Sequence, residues 1–403
     1  MFSNLTPESN QRPGNDPIFA LSEEARSKIA NGERVIDATL GCLFDDRGQL
    51  LVVNAWDQVA AEIHPSMVAG YAPISGVQKF NHAIIEDTFS DFQHLKQISV
   101  SSATPGGTGA VTSSIVNFLE PGETLVSPHL YWGPYSTISS LNGRRLLTYQ
   151  TFTPDLNFNL EGLEQAVHKT SKENKRVLTV INSPCNNPTG YSLSPSEWDG
   201  VGDILSNASN TARNSLIIDL AYFKFGPKNN HWLSVVEKIC DDVQVLIAWS
   251  GSKSFTRYGA RVGGIIALNR DAGSREKLKR AFSYSSRGTW SNCNHMGQFI
   301  ATKLITDDRY KKQVNIERNA IIDLLQDRVD VFNVQAQKYN LVYPRYEGGF
   351  FVTVFCKDPQ DVAKRMRDKN VYLIPVKDGV RVGLCSVASK DIPELVEVLN
   401  NSL

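Results

Sequence analysis

No stretch of this 403-residue chain approaches the roughly 20 consecutive apolar residues that a membrane helix requires. Neither sign of charge is in excess: Lys and Arg number 42, Asp and Glu 42. The electrostatic footprint of a nucleic-acid or anionic-membrane binder is therefore missing. Cysteine is sparse. Its positions (Cys42, Cys185, Cys240, Cys293, Cys356 and Cys385) form no CxxC and no Cys/His cluster. That argues against a zinc site or a disulfide framework and suits a thiol-reducing compartment. The opening segment, MFSNLTPESNQRPGNDP, lacks the basic-then-apolar form of a secretory signal. Internal repeats and low-complexity segments are also missing. The expectation is a cytoplasmic protein with no membrane, nucleic-acid or metal partner.

What is there is an ordinary globular composition, 41% hydrophobic and 21% charged, long enough for a sizeable core and more than one domain. Residues 1–17, rich in Pro, Asn and Ser, read as an N-terminal arm. Ser22 followed by Glu23 and Glu24 predicts a helix start. From about 76 to 270, short apolar runs alternate with helical stretches. Thr124–Ser127, Arg176–Asn182, Ser215–Asp219, Gln244–Trp249 and Gly263–Ala267 read as buried strands, and Arg145–Leu147 begins another. Near-continuous apolar strands separated by helices predict an α/β fold with a mainly parallel sheet between helices. Ligands bind such sheets where loops leave the carboxyl ends of the strands. The segment 274–340 is helical, and the C-terminal remainder alternates strand and helix as a smaller α+β unit. The predicted division is a small domain from 18–50 and 310–403, and a large domain over 51–309.

Four polar loops stand at strand or helix ends. Thr104–Ala110 (TPGGTGA) opens a helix, and its glycines and free amides suit a phosphate. Asn182–Gly190 (NSPCNNPTG) follows a strand and is good turn chemistry in its own right. Asp219-Leu220-Ala221-Tyr222 closes the SLIID strand, and a carboxylate there is expensive without a cationic partner or a helix to cap. Ser250-Gly251-Ser252-Lys253 follows QVLIAW, with Arg261-Val262-Gly263-Gly264 downstream. Partial burial of Lys253 would yield the neutral amine that a nucleophile requires. Each loop alone has an ordinary explanation. The order of glycine loop, Asn, Asp, Lys and Arg does not.

TPGGTGA, NNPTG, DLAY and SxSK with RVGG downstream resemble the class I aminotransferases, in particular their aspartate and aromatic branch, over about 37–381. The resemblance implies pyridoxal 5′-phosphate (PLP) as cofactor and a ping-pong exchange of amino groups between an amino acid (aspartate, glutamate or aromatic) and a 2-oxo acid. It implies that Lys253 is the Schiff-base lysine and proton carrier, and that Asp219 pairs with the pyridine N–H. Asn187 and Tyr222 would reach the ring oxygen. Gly107, Thr108, Ser250 and Arg261 would hold the phosphate, Trp132 (in HLYWGPY) would stack on the ring, and Gly41 would lie in the loop over the substrate. Arg381 would grip the substrate α-carboxylate. Tyr71 and Arg287 would serve the neighbouring subunit's phosphate and second substrate carboxylate, which implies a homodimer with shared sites. The chain departs from the family at Cys293-Asn294, where Pro-Pro is usual. It departs again at Tyr135, where many members carry a histidine that supports the ring aspartate. The competing readings are a lyase or decarboxylase on the same cofactor, and a ligand-sensing module without activity.

Overall fold

The computed structural model describes residues 4–12, 14 and 17–403. Its centre is a seven-stranded sheet in the order Ser99–Pro105, Val262–Leu268, Gln244–Ser250, Arg213–Asp219, Arg176–Asn182, Thr124–Pro128, Arg145–Tyr149. Every strand is parallel to its neighbours except Val262–Leu268, which runs antiparallel to both of its own. The fold is thus the α/β arrangement expected from the strand pattern. The sequence reading passed over Ser99–Pro105 because SVSSATP carries three serines and no apolar run.

Both faces of the sheet are covered, which explains why the strands are apolar almost throughout. Leu178, Val180, Ile217 and Leu246 join one core cluster with Val111 and Ile115 of the helix Gly106–Phe118. Val177, Ile181, Leu216, Ile218, Val245 and Ile247 join the opposite one with Leu163, Val201 and Val236, from the helices Leu160–Glu173, Pro195–Ala208 and His231–Ile239. Local signals set these helices. Pro195–Ala208 opens with a reciprocal capping box between Ser194 and Glu197, and the Asn159 side chain accepts from the Gly162 N–H at the start of Leu160–Glu173.

A third core cluster lies in the C-terminal unit, where the strands Ile374–Val376, Gly379–Val382 and Val352–Phe355 form an antiparallel sheet. Residues 36–37 pair in parallel with 371–372, so an N-terminal segment joins this unit. The long helix Asp308–Lys338 serves both cores. Val314, Ile321 and Leu325 pack on the large unit, while Val329, Phe332 and Ala336 pack on the small one.

Two local expectations need correcting. The helix expected to start at Ser22 runs instead over Pro17–Ala30, with Ser22 buried inside it. A proline in the first turn is preset for helix, so the start lies upstream of the acidic pair. The arm expected over 1–17 lies partly outside the described residues. Within it, Pro7–Asn10 forms one helical turn whose N-cap Thr6 accepts from the Ser9 N–H.

Candidate active site

The parallel strands are in register, so their polar last residues meet at one edge. Asn182 pairs with Asp219, and Asp219 with Ala248 just before Trp249 and Ser250. The pocket at this edge is lined by Gly107, Thr108, Trp132, Asn182, Asn187, Asp219, Ala221, Tyr222, Ser250, Ser252, Lys253 and Arg261. Nine residues singled out from the sequence are therefore together: Gly107, Thr108, Trp132, Asn187, Asp219, Tyr222, Ser250, Lys253 and Arg261.

Lys253 sits in the helical turn Gly251–Ser254, directly after its strand. Its Nζ lies 5.0 Å from the Tyr258 ring centre and 5.9 Å from that of Tyr222. Burial pushes its ammonium pKa below the ordinary lysine value, and Arg261 acts in the same direction; Cys42 opposes both. The result favours a neutral, nucleophilic amine.

Asp219 is 5% exposed. Burial raises its carboxyl pKa, opposed by hydrogen bonds from Tyr135 and Ala221 and by the charge of Lys253. Tyr135 Oη donates to Oδ2 at 2.6 Å, and the Ala221 N–H donates to Oδ1 at 3.0 Å. Tyr135 thus supports the Asp219 carboxylate from within the wall of the site. Its own pKa is driven far up by burial and by Asp219, so it stays a donor.

An anion cradle adjoins these groups. Arg261 Nη1 donates to Ser252 Oγ at 3.1 Å, and Nη2 to Thr108 Oγ1 at 3.4 Å and to the Pro105 carbonyl at 3.3 Å. Gly106 has φ +72°, and a Cβ there would lie 2.4 Å from Arg261 Nη2, so glycine is required. Behind Gly107, a Cβ would meet Ser250 Cβ at 3.3 Å. The first amides of the helix Gly106–Phe118 open into this recess.

Arg381, on the strand Gly379–Val382, is not itself among the lining residues but bonds one of them, Asn187. Its Nη1 donates to Asn187 Oδ1 at 3.3 Å, its Nη2 to the Thr39 carbonyl at 2.7 Å, and its guanidinium lies 4.3 Å from the Phe351 ring centre. A Cβ on Gly41 would meet the same Phe351 ring at 3.0 Å, which puts the Gly41 loop beside Arg381. The structure does not bring Tyr71 or Arg287 into this pocket. Tyr71 is 92% exposed, and Arg287, in the last turn of the helix Ala272–Thr289, is exposed and donates to Ser291 Oγ at 2.6 Å.

The sequence reading missed four neighbours. Asn182 ends an apolar strand as Asp219 does, so the same signal marks it; its Nδ2 donates to the Asp219 carbonyl at 2.9 Å and its Oδ1 accepts from the Asn187 N–H at 2.7 Å. Ser252 was hidden among small loop residues. Cys42 and Tyr258 reach Lys253 from distant segments that no spacing connects. Among the described residues, no group of three or more His, Cys, Asp and Glu could hold a metal, and no helix is long and apolar enough to cross a membrane.

A buried amine, a buried carboxylate and an anion cradle thus lie within one pocket. The family model for aminotransferase class I and II matches residues 41–399. The chain belongs to this family and is a transaminase. It is 26% identical to an aromatic-amino-acid aminotransferase of Escherichia coli, over 89% of this chain and 91% of that one. It is 27% identical to one of Paracoccus denitrificans, over 80% and 79%. A solved aminotransferase structure from Anaerococcus prevotii superposes with a TM-score of 0.93 at 32% identity, covering 99% of both chains. The cytoplasmic aspartate aminotransferase of Saccharomyces cerevisiae, at 18% identity and a TM-score of 0.82, shares the fold.

Proposed function

We propose that this transaminase uses PLP to exchange amino groups between an amino acid, either aspartate or glutamate or an aromatic one, and a 2-oxo acid. The observation that carries this reading is Lys253 in one pocket with Asp219 and the Arg261 cradle. The donor set fits the cofactor in three ways. The cradle, with its required glycine at 106, suits a phosphate. The Asp219 carboxylate, penalised by burial, calls for a cationic N–H. Lys253 offers an amine whose neutral form burial favours.

PLP, when bound, supplies an electron sink that acidifies the α-proton of the amino acid. Gly107, Thr108, Ser250 and Arg261 would hold its phosphate, Asp219 its ring nitrogen, Asn187 and Tyr222 its ring oxygen, and Trp132 its face. Arg381 would hold the substrate α-carboxylate through a planar guanidinium. That would orient the α-hydrogen toward Lys253 Nζ, which would take the proton and return it to the carbon on the far side of the amino nitrogen. Gly41 leaves room for the substrate beside Arg381. Arg287 and Tyr71, both exposed on their own chain, would complete the partner's site in a two-fold homodimer, with Arg287 meeting a second substrate carboxylate. The balanced charge and the six free cysteines, which suit a thiol-reducing compartment, support a cytoplasmic location.

The test is to add amino acid alone to the loaded enzyme. Stoichiometric release of the matching oxo acid, without ammonia or carbon dioxide, is expected. Ammonia or carbon dioxide would assign a lyase or decarboxylase instead.

A further inference from the structure

We propose that His129 and Asp378 are positioning residues that clasp the hairpin bearing Arg381 to the segment bearing Trp132. The inference rests on the reading of Arg381 as the carboxylate grip.

His129 directly follows the strand Thr124–Pro128 and is three residues before Trp132. It is held firmly. Its backbone N–H donates to the Tyr149 carbonyl at 2.8 Å, and the next N–H, of Leu130, donates to Thr151 Oγ1 at 3.0 Å. The His129 side chain is 3% exposed. The Thr151 backbone N–H donates to its Nδ1 at 2.8 Å, so Nδ1 carries no proton and Nε2 carries one. That Nε2–H donates to Asp378 Oδ2 at 2.6 Å. The tautomer is thus fixed from behind, and the one available donor is aimed at Asp378.

Asp378 belongs to the two-residue turn between Val376 and Gly379, which pair across it. Arg381 is three residues on, along the strand that leaves the turn. The turn closes this hairpin; the Cys356 N–H donates to the Asp378 carbonyl at 3.1 Å, and Arg381 is paired with Ile374 and Thr353. Gln150 Nε2 adds a second, longer bond to the same Asp378 oxygen at 3.4 Å. Two donors from the large unit therefore meet one carboxylate at the tip of a small-unit hairpin. The clasp fixes the gap between two walls of the site, the Trp132 segment and the Arg381 strand. Arg381 must span that gap to meet a carboxylate on a bound substrate, so the clasp governs substrate affinity and not proton transfer at Lys253.

A merely structural role is a poor account of this pair. The Asp378 side chain is 45% exposed and keeps part of its hydration, so its bond from the neutral His129 ring contributes modestly to stability. Asp378 has φ 65°, a conformation that glycine and asparagine tolerate. Asp378→Gly therefore removes the carboxylate without straining the backbone, and Asp378→Asn keeps an acceptor for the His129 proton.

The experiment measures kcat and KM for the amino donor in the PLP-loaded enzyme. It also measures, by calorimetry, the dissociation constants of succinate and 3-phenylpropanoate, which have no amino group to transfer. In Asp378→Gly, KM and both dissociation constants are expected to rise about tenfold with kcat changed less than about threefold. The melting temperature should move by no more than about 2 °C. Asp378→Asn should recover most of the affinity. Wild-type affinity in Asp378→Gly, alongside weakened binding in Arg381→Ala, would overturn the clasp alone. Asp378→Asn as weak as Asp378→Gly would assign the effect to charge and overturn it too. Unchanged affinity in Arg381→Ala would refute the assignment of Arg381, and the clasp with it.

Discussion

Tyr135→Phe removes one oxygen atom, and the structure says what that atom does. Tyr135 Oη donates to Asp219 Oδ2 at 2.6 Å, inside a pocket wall where both residues are almost wholly buried. A hydrogen bond to a buried charged acceptor contributes about 2 kcal/mol. Its loss falls on the ionised form of Asp219, so the carboxyl pKa, already raised by burial, should rise further. The sign then follows. A carboxyl whose folded pKa lies above its unfolded value costs stability once pH exceeds the unfolded value, and this cost is complete above the folded one. The cofactor-free Tyr135→Phe protein should therefore melt about 2 to 3 °C lower than wild type near pH 7.5. The difference should shrink as pH falls toward 4. In the loaded enzyme, where Asp219 would hold the ring nitrogen, a more basic carboxylate would compete for that proton and weaken the electron sink the cofactor supplies, so kcat should fall roughly tenfold. Calorimetric melting across pH, with kcat measured beside it, checks both. Wild-type melting and wild-type kcat at pH 7.5 would refute the assignment of Tyr135 as the aspartate's support.

Arg287→Ala should raise KM for 2-oxoglutarate by roughly 10- to 100-fold through loss of a charge-assisted bond, with little change for a monocarboxylic oxo acid; equal losses for both would remove its role in choosing dicarboxylates. Gly106→Ala places a methyl 2.4 Å from Arg261 Nη2 on a φ of +72°, and should weaken PLP binding about tenfold or more in an equilibrium titration. PLP uptake by the cofactor-free protein should accelerate with pH through an inflection below the ordinary lysine value of 10.5, because burial favours neutral Lys253. Stopped-flow absorbance reads this directly, and an inflection at or above 10.5 would contradict the burial argument.

The loops around Lys253 were legible for a physical reason. RVLTVIN, SLIID and QVLIAW have largely apolar interiors, so the polar residues Asn182, Asp219 and Ser250 that close their strands mark the strand ends as well as the chemistry. The strand Ser99–Pro105 escaped because its serines lie under helices and loops, and Ser101 and Ser102 bond to the carbonyls of Asn81 and Ser75. The role of Tyr135 needed the family pattern even to be asked about, and only packing answered it. His129 and Asp378 are 249 positions apart and leave no joint trace in the sequence. Tyr71 and Arg287 are exposed on one chain, and only the family pattern proposes a neighbouring subunit's site for them.

The reversed strand of the central sheet completes the site. In a wholly parallel sheet every strand would bring its carboxyl end to the pocket edge, and the residue preceding each strand would lie at the opposite edge. Val262–Leu268 reverses this, so it is Arg261, the residue before the strand, that arrives at the pocket. The same reversal pairs Val262 with Pro105 and Gly263 with Thr104, which lays the RVGG segment against the glycine turn. The approach is so close that a Cβ on Gly263 would lie 2.3 Å from the Gly106 carbonyl carbon. Arg261, at φ 52°, then folds back over that turn toward Thr108 and Ser252. The glycines at 106 and 263 are thus the geometric condition for a cation to stand over the helix Gly106–Phe118. The spacing of RVGG after the lysine loop is a consequence of strand direction, and strand direction puts the phosphate cradle beside the amine.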